Sequence, residues 1–132
     1  MGRLEQVSAK IVNISTRGFV QTGDNVMIGG LIVTGNDPSE VLIRAIGPSL
    51  PVSDRLADPH LELFNSEGTA IFANDNWKNS QREQIEASGI PPSDELESAM
   101  RATLPPGNYT AIVSGADGGT GVALVEVYQL AP

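Results

Sequence analysis

Residues 25–34 read NVMIGGLIVT, and this stretch is the clearest indication of the fold class. The run is almost continuously apolar and too rich in β-branched side chains for a helix, so it predicts a β-strand. Gly29 and Gly30 interrupt it. Paired glycines inside a strand usually mark a β-bulge or a close approach of another backbone. We therefore expect a strand here with one of these two features at its centre.

Other strand-like segments lie on both sides of this run, separated by clusters of Gly, Pro, Asn and Asp. They are residues 9–15, 40–46, 60–65, 69–73, 99–104, 108–114 and 122–130. Seven to nine short strands with such turns predict an all-β chain folded as an antiparallel β-sandwich. Periodicity alone does not choose between a jelly-roll-like sandwich, an immunoglobulin-like sandwich and a barrel.

One segment departs from the strand pattern. Residues 80–89 (SQREQIEASG) carry Ser80 followed three residues later by Glu83, which predicts a capping box, and Gly89 as a helix stop. Only Ile85 and Ala87 offer apolar side chains to bury. The sequence thus predicts one short surface helix that crosses between the sheets.

The chain has 132 residues, which is the size of a single domain. We expect residues 1–10 to form an N-terminal extension or linker strand and residues 11–132 to form one sandwich. Hydrophobic residues make up 40% and charged residues 18%, as in an ordinary folded protein. There is no run of 18 apolar residues, so we expect no transmembrane helix, and no signal peptide is recognisable in the chain.

The formal charge of -8 argues against nucleic acid or an anionic membrane as partner, since both require a basic surface. Cysteine is absent, which excludes disulfides, a thiolate nucleophile and cysteine-bound zinc. His60 is the only histidine, and Ser49 in residues 47–51 (GPSLP) lacks the second glycine of a nucleophile elbow. We therefore expect no enzyme activity and no catalytic residues.

A polar cluster follows the strand that ends near residue 73. The candidate ligands of a calcium ion are Asn74, Asp75, Asn76, Asp94 and Glu97. Calcium takes six to eight oxygens from carboxylates, amides and backbone carbonyls, and two facing loops can supply them. The alternative is structural, because Asn and Asp in such positions commonly form Asx turns and cap helices.

Two further side chains have alternative roles. Trp77 is the single tryptophan and is either a stacking platform for a sugar ring or a residue that packs a loop over the edge of the sandwich. Arg44 interrupts an apolar strand. Arg44 is either turned inward and paired with a carboxylate, for which Glu126 and Asp24 are the candidates, or its face of the strand is solvated.

Five motifs occur in order along the chain: residues 12–18 (VNISTRG), 22–30 (TGDNVMIGG), 41–50 (VLIRAIGPSL), 74–77 (NDNW) and 104–115 (LPPGNYTAIVSG). Together they resemble a little-characterised all-β module that occurs near the C-terminus or in tandem in large exported proteins of environmental bacteria. Residues 104–115 also resemble the closing strands of bacterial pre-peptidase C-terminal domains. These resemblances imply a non-catalytic module that is secreted or displayed on the cell surface.

Two functional hypotheses follow. In the first, the domain is a structural or adhesive module that associates head-to-tail with itself or with neighbouring domains. Residues 4–10, with Leu4, Val7 and Ala9, would supply a strand to an open sheet edge of the next copy. In the second, the domain binds glycans, with Trp77 as the platform and calcium as a structural ion.

Overall fold

A computed structural model describes residues 14–23 and 25–130 of the chain. Eight strands and one α-helix follow in the order β1 (Ile14–Val20), β2 (Met27–Val33), β3 (Ser39–Ile46), β4 (Pro59–Phe64), β5 (Ala70–Asn74), α1 (Arg82–Ala87), β6 (Ser98–Leu104), β7 (Gly107–Gly115) and β8 (Gly121–Gln129). Short 3₁₀ turns occupy Trp77–Asn79 and Ala116–Gly118. No helix in the described ranges has the length and hydropathy needed to cross a membrane.

The strands form two four-stranded antiparallel sheets. Sheet 1 has the order β1-β8-β3-β6, and sheet 2 has the order β2-β7-β4-β5. Strand pairs therefore nest along the chain as first with last, second with seventh, third with sixth and fourth with fifth. This nesting is the jelly-roll topology, built from two Greek keys. The predicted all-β sandwich is confirmed, and of the topologies left open by the sequence the jelly roll is the one observed.

Alternating side chains from the two sheets fill the space between them. Strand β8 shows the pattern most clearly, since Ala123, Val125 and Val127 are buried and the residues between them are partly exposed. Sheet 2 contributes Leu31, Leu61, Leu63, Ala111 and Val113 to the same core. A period of two matches strands with one face in the core and one face outside.

Strand β3 is the exception, because it is buried on both faces. Val41 and Ile43 enter the main core, whereas Leu42 faces outward into a second cluster with Trp77 and Ile85. The segment that connects β5 to β6 folds over this outer face of sheet 1. The continuous apolar run of β3 is thus explained by a second layer, which the predicted surface helix α1 provides.

Three local predictions need correction. The pairing of β2 with β7 is in unbroken register from Met27 opposite Val113 to Val33 opposite Gly107, so the glycine pair forms no bulge. Strand β1 continues to Val20 instead of ending at residue 15. The α1 N-cap is Gln81 and carries no side-chain capping bond. The capping box is wrong because Ser80 Oγ instead accepts a hydrogen bond from Asn74 Nδ2 at 3.1 Å.

Candidate functional site

The Trp77 indole is an internal packing residue. Only 4% of the residue is exposed, and it contacts the cluster that contains Leu42 and Ile85. Its Nε1–H donates to the carbonyl of Asp94 at 3.2 Å. A sugar ring requires an accessible aromatic face, so the structure contradicts Trp77 as a stacking platform. It supports the alternative role, in which Trp77 fastens the β5–β6 connection to sheet 1.

Asn74 closes the outer edge of β6. Its Oδ1 accepts a hydrogen bond from the backbone N–H of Ala99 at 3.0 Å, and its Nδ2 donates to the carbonyl of Asn76 at 3.1 Å. Gln81 does the same further along β6, accepting from the N–H of Arg101 and donating to its carbonyl, both at 2.9 Å. Two side-chain amides therefore take the place that a neighbouring strand would occupy.

Glu97 is a fully buried carboxylate that joins two loops. Its Oε2 accepts hydrogen bonds from the N–H groups of Gly47 (3.1 Å) and Ser49 (2.9 Å) and from the Ser49 hydroxyl. Its Oε1 accepts from the N–H of Asp94 at 3.2 Å. These donors replace water around the buried charge. The carboxylate of Glu97 is thus engaged by protein groups, and the Oδ1 of Asp94 is likewise engaged in a turn with the N–H of Leu96.

Asp75 lies at one end of the sandwich, beside a carboxylate that was not among the sequence-predicted ligands. Burial and the adjacent Asp75, within hydrogen-bonding reach, raise the pKa of Asp58, and the nearby Asp117 acts in the same direction. Asp58 Oδ1 and Asn76 Oδ1 are both buried and have no hydrogen-bond partner among the described residues. In residues 14–23 and 25–130, no three His, Cys, Asp or Glu side chains assemble as a metal-binding group.

Arg44 has the carboxylate partner that its position requires. Its guanidinium pairs with Glu126 on the adjacent strand β8, with Nε to Oε1 at 2.9 Å, and stacks 5.2 Å from the centre of the Tyr128 ring. A further bond reaches the carbonyl of Ile90 at 3.2 Å. The Arg44–Glu126 prediction is confirmed, whereas Asp24 lies outside the described residues. The pair fastens the β5–β6 connection to the outer face of sheet 1.

The residues considered for hydrolysis do not form a catalytic set. The Ser49 hydroxyl donates its proton to Glu97, so His60 does not receive it. His60 lies in β4, opposite Ser114 of β7, on the outward side of sheet 2. Leu4, Val7 and Ala9, which the sequence nominates for self-association, lie outside the described residues. Whether they can take part in self-association therefore depends on the sheet edges of the described domain.

A polar cleft of about 540 Å³ separates α1 from β6. Arg101 lies on its wall, where its Nε donates to Glu40 at 2.9 Å and its Nη1 donates to the carbonyl of Gln84 at 2.7 Å. Gln81, also on the wall, is held by the β6 backbone. The side chains of Glu40, Gln81 and Arg101 on the wall of the cleft are therefore engaged within the protein and hold α1 against sheet 1.

The outer face of sheet 2 carries exposed aliphatic side chains. Ile28 and Ile32 of the edge strand β2 are each 60% exposed, and Ile71 of the opposite edge strand is 37% exposed. Ile112 lies directly beside Ile28, and both project from the same face. Exposed aliphatic side chains that lie together on a protein surface commonly mark a contact surface.

Two features were missed from the sequence, the Asp58–Asp75 pair and the exposed isoleucines of β2, although the sequence contains a signal for each. Asp58 precedes β4 and Asp75 follows β5, so the predicted hairpin around residues 66–68 already places them side by side. Ile28 and Ile32 occupy alternate positions around Gly30, which puts them on one face of the predicted strand. The edge position of β2 follows from topology, which strand patterns do not determine.

The sequence matches no protein-family model and no curated protein. The structure is similar to the crystal structure of the pre-peptidase C-terminal domain of a collagenase from Bacillus anthracis, with a TM-score of 0.57 and 13% sequence identity. The alignment covers 89% of this chain and 90% of that chain. A family GH115 4-O-methyl-α-glucuronidase aligns with a TM-score of only 0.37 at 13% identity, covering 97% of this chain and 18% of that one, and carries no argument.

The collagenase comparison extends the likeness noted for residues 104–115 to almost the whole domain. At 13% identity it shows a shared fold and leaves activity open. The resemblance of the five motifs to a module of exported proteins stays a prediction. The chain has the sandwich fold of a pre-peptidase C-terminal domain.

Proposed function

We propose that this chain is a non-catalytic structural module of an exported protein and that it associates head-to-tail through its N-terminal strand. The observation that carries the proposal is the pair of exposed aliphatic side chains, Ile28 and Ile32, that project from the outer face of the edge strand β2. The fold shared with a pre-peptidase C-terminal domain supports an exported setting. That domain accompanies a collagenase, which fits a module without a catalytic set of its own.

The composition of the N-terminal segment supports the same proposal. Arg3 and Lys10 are two of the eight basic residues, whereas Glu5 is the only one of the sixteen acidic residues within positions 1–13. The segment is therefore slightly basic and the remainder of the chain strongly acidic. Opposite charges favour association of this segment with the body of another copy and accelerate their encounter.

Deletion of residues 1–10 tests the proposal. Light scattering after size exclusion should show multiples of the 13.9 kDa chain for the complete protein and a monomer for the shortened one. The shortened protein should still unfold cooperatively, because the described core is built from residues after position 13. Unchanged polymers after the deletion would contradict the role of the segment.

The glycan-binding alternative loses its platform, since Trp77 is buried. Its calcium component keeps one favourable observation, the unpartnered oxygens of Asp58 and Asn76 next to Asp75. We propose calcium as a structural ion at this place, with Asp75 as its central ligand. The engaged oxygens of Asn74 and Glu97 then serve the fold and not the ion.

A pair of melting curves tests this ion. Calcium should raise the melting temperature relative to chelator, because a ligand of the folded state stabilises it by mass action. Asp75→Asn should cancel the increase, whereas Asp37→Asn, in an exposed loop, should retain it. Equal melting temperatures in calcium and in chelator would exclude the ion.

A further inference from the structure

We infer that the acceptor for the N-terminal segment is the open edge of β2 in a second copy of this chain. This inference rests on the proposed function and makes it specific, because it names the one edge of the sandwich at which the strand adds. Proteins normally protect the edges of their sheets against pairing with other chains. The four edge strands of the described sheets differ in how far they are protected.

Three of the four edges are protected. The β6 edge is occupied by the amides of Asn74 and Gln81. Strand β1 carries the exposed cation Arg17 at its centre, and an edge charge disfavours strand pairing. Strand β5 has only five residues, and a register irregularity disturbs its pairing with β4. Short length and irregularity both make a poor template for a further strand.

Strand β2 lacks these protections. Its seven residues, MIGGLIV, include no charge and no proline, and its pairing with β7 is regular throughout. On the other side of β2, no described residue forms a hydrogen bond to its backbone. The edge therefore presents N–H and C=O groups that no described residue pairs, and an extended segment can hydrogen-bond to them.

Gly30 gives a second indication of a partner at this edge. A Cβ built at Gly30 would meet no atom within 4 Å, and the backbone there is not in the left-handed region. The domain itself thus gives no steric or conformational reason for glycine. By contrast, a Cβ on Gly29 would contact Val125 in the core at 3.6 Å. A glycine on an outward strand position commonly marks close approach by another chain.

The N-terminal segment fits this edge in length, polarity and charge. Residues 4–10 and β2 both span seven residues, about 23 Å of extended chain. Val7 and Ala9 are two residues apart, so they project from one side of an extended strand and can pack beside Ile28 and Ile32. The segment is slightly basic and β2 belongs to an acidic body, so charge does not oppose the contact.

Complementation between two defective full-length variants tests the inference. Val7→Pro removes a donor N–H and fixes the backbone of the segment. The double variant Ile28→Lys/Ile32→Lys places charges on the acceptor edge at positions that are 60% exposed, so the core is left intact. Phe19→Lys, at a 52% exposed position on the β1 edge, is the matched control.

Each defective variant alone should be monomeric, and an equimolar mixture should form a dimer of one copy of each. The acceptor variant retains a working segment and the Val7→Pro variant retains a working edge, so each supplies what the other lacks. Phe19→Lys should polymerise like the unmodified chain. Melting temperatures of all variants should confirm that they are folded.

Other outcomes separate the inference from the proposed function. If the unmodified chain polymerises and Ile28→Lys/Ile32→Lys polymerises equally well, the acceptor lies elsewhere and the inference is wrong while self-association stands. If the unmodified chain is monomeric, self-association itself fails. A further outcome is a monomer with its segment bound to its own β2. In that case hydrogen exchange at the β2 amides would be slow in the unmodified chain and faster in Val7→Pro. This result would overturn the second copy as occupant.

Discussion

The side chain of Asn74 at the end of β5 accepts a hydrogen bond from the backbone N–H of Ala99 in β6. This bond joins an edge strand of sheet 2 to an edge strand of sheet 1 and closes one side of the sandwich. On the opposite side, β1 and β2 are joined by their short connection, in which the Gln21 N–H donates to the carbonyl of Asn25 at 2.8 Å, and no side chain of the described residues bonds one edge strand to the other. Side chains thus cover the β6 edge but not the β2 edge, and the β2 edge is where we expect a second copy to bind.

Asn74→Ala should lower the free energy of unfolding by about 1–3 kcal/mol, because the buried N–H of Ala99 loses its acceptor. Urea unfolding followed by circular dichroism measures the change. Asn79→Ala, at an exposed position close in sequence, should alter stability by less than about 0.5 kcal/mol. Equal effects of the two substitutions would contradict the role of Asn74 in closing the edge.

Glu97→Gln should be more damaging, at about 3 kcal/mol or more. The carboxylate accepts from three backbone N–H groups and one hydroxyl, and an amide retains only one acceptor oxygen. Glu95→Gln is the control, since the Glu95 side chain is 78% exposed and forms only a surface ion pair with Lys78. A stability loss at Glu97 no larger than at Glu95 would show that the buried carboxylate is dispensable.

Trp77→Ala should destabilise the domain by about 3–5 kcal/mol, the usual cost of removing a buried large aromatic side chain. Phe19→Ala, at a position that is 52% exposed, should have little effect. Thermal unfolding gives both values. In the unmodified protein, Trp77 fluorescence should change together with the circular dichroism signal, since the residue joins the β5–β6 connection to sheet 1. Two separate transitions would mean that this connection unfolds independently.

The Asp58–Asp75 pair predicts a pH-dependent gain in stability for Asp58→Asn. Because burial and Asp75 raise the pKa of Asp58 in the folded state, the folded protein binds this proton more tightly than the unfolded chain does. The contribution of this proton to the free energy of unfolding is fully present below the pKa of Asp58 in the unfolded chain, about 4. It is lost as the pH rises through the higher pKa of Asp58 in the folded protein.

In chelator at neutral pH, Asp58→Asn should therefore melt at a higher temperature than the unmodified protein, and the difference should shrink towards a pH of about 4. Melting curves across this range provide the measurement. Asp37→Asn, in an exposed loop, should follow the unmodified protein at every pH. A lower melting temperature for Asp58→Asn at neutral pH would show that the carboxylate stabilises the fold.

The sequence predicted the sandwich because strand-forming runs and turn clusters are local properties. It did not predict the jelly-roll order, because nested pairing such as β1 with β8 depends on contacts between distant segments. The Arg44–Glu126 pair was predictable for a different reason. A guanidinium in an apolar strand needs a carboxylate, and few acids lie within strands.

The candidate metal residues were predicted less well, because sequence order does not show which oxygens are already engaged. The amide oxygen of Asn74 accepts a hydrogen bond from the backbone N–H of Ala99, and the carboxylate of Glu97 accepts one from the backbone N–H of Ser49. Both side chains are therefore occupied by backbone donors. Asp75 keeps a carboxylate neighbour, but that neighbour is Asp58 at the start of β4. Pairing of β4 with β5 brings the two together, and the predicted hairpin already implied this proximity.

The molar mass of the complete chain in solution decides whether copies join by strand addition. Light scattering after size exclusion, with negative-stain images of the same fractions, should show open-ended assemblies in steps of 13.9 kDa that lengthen with concentration. Head-to-tail contacts that do not close produce such a series. A single 13.9 kDa species at every concentration would contradict strand addition between copies.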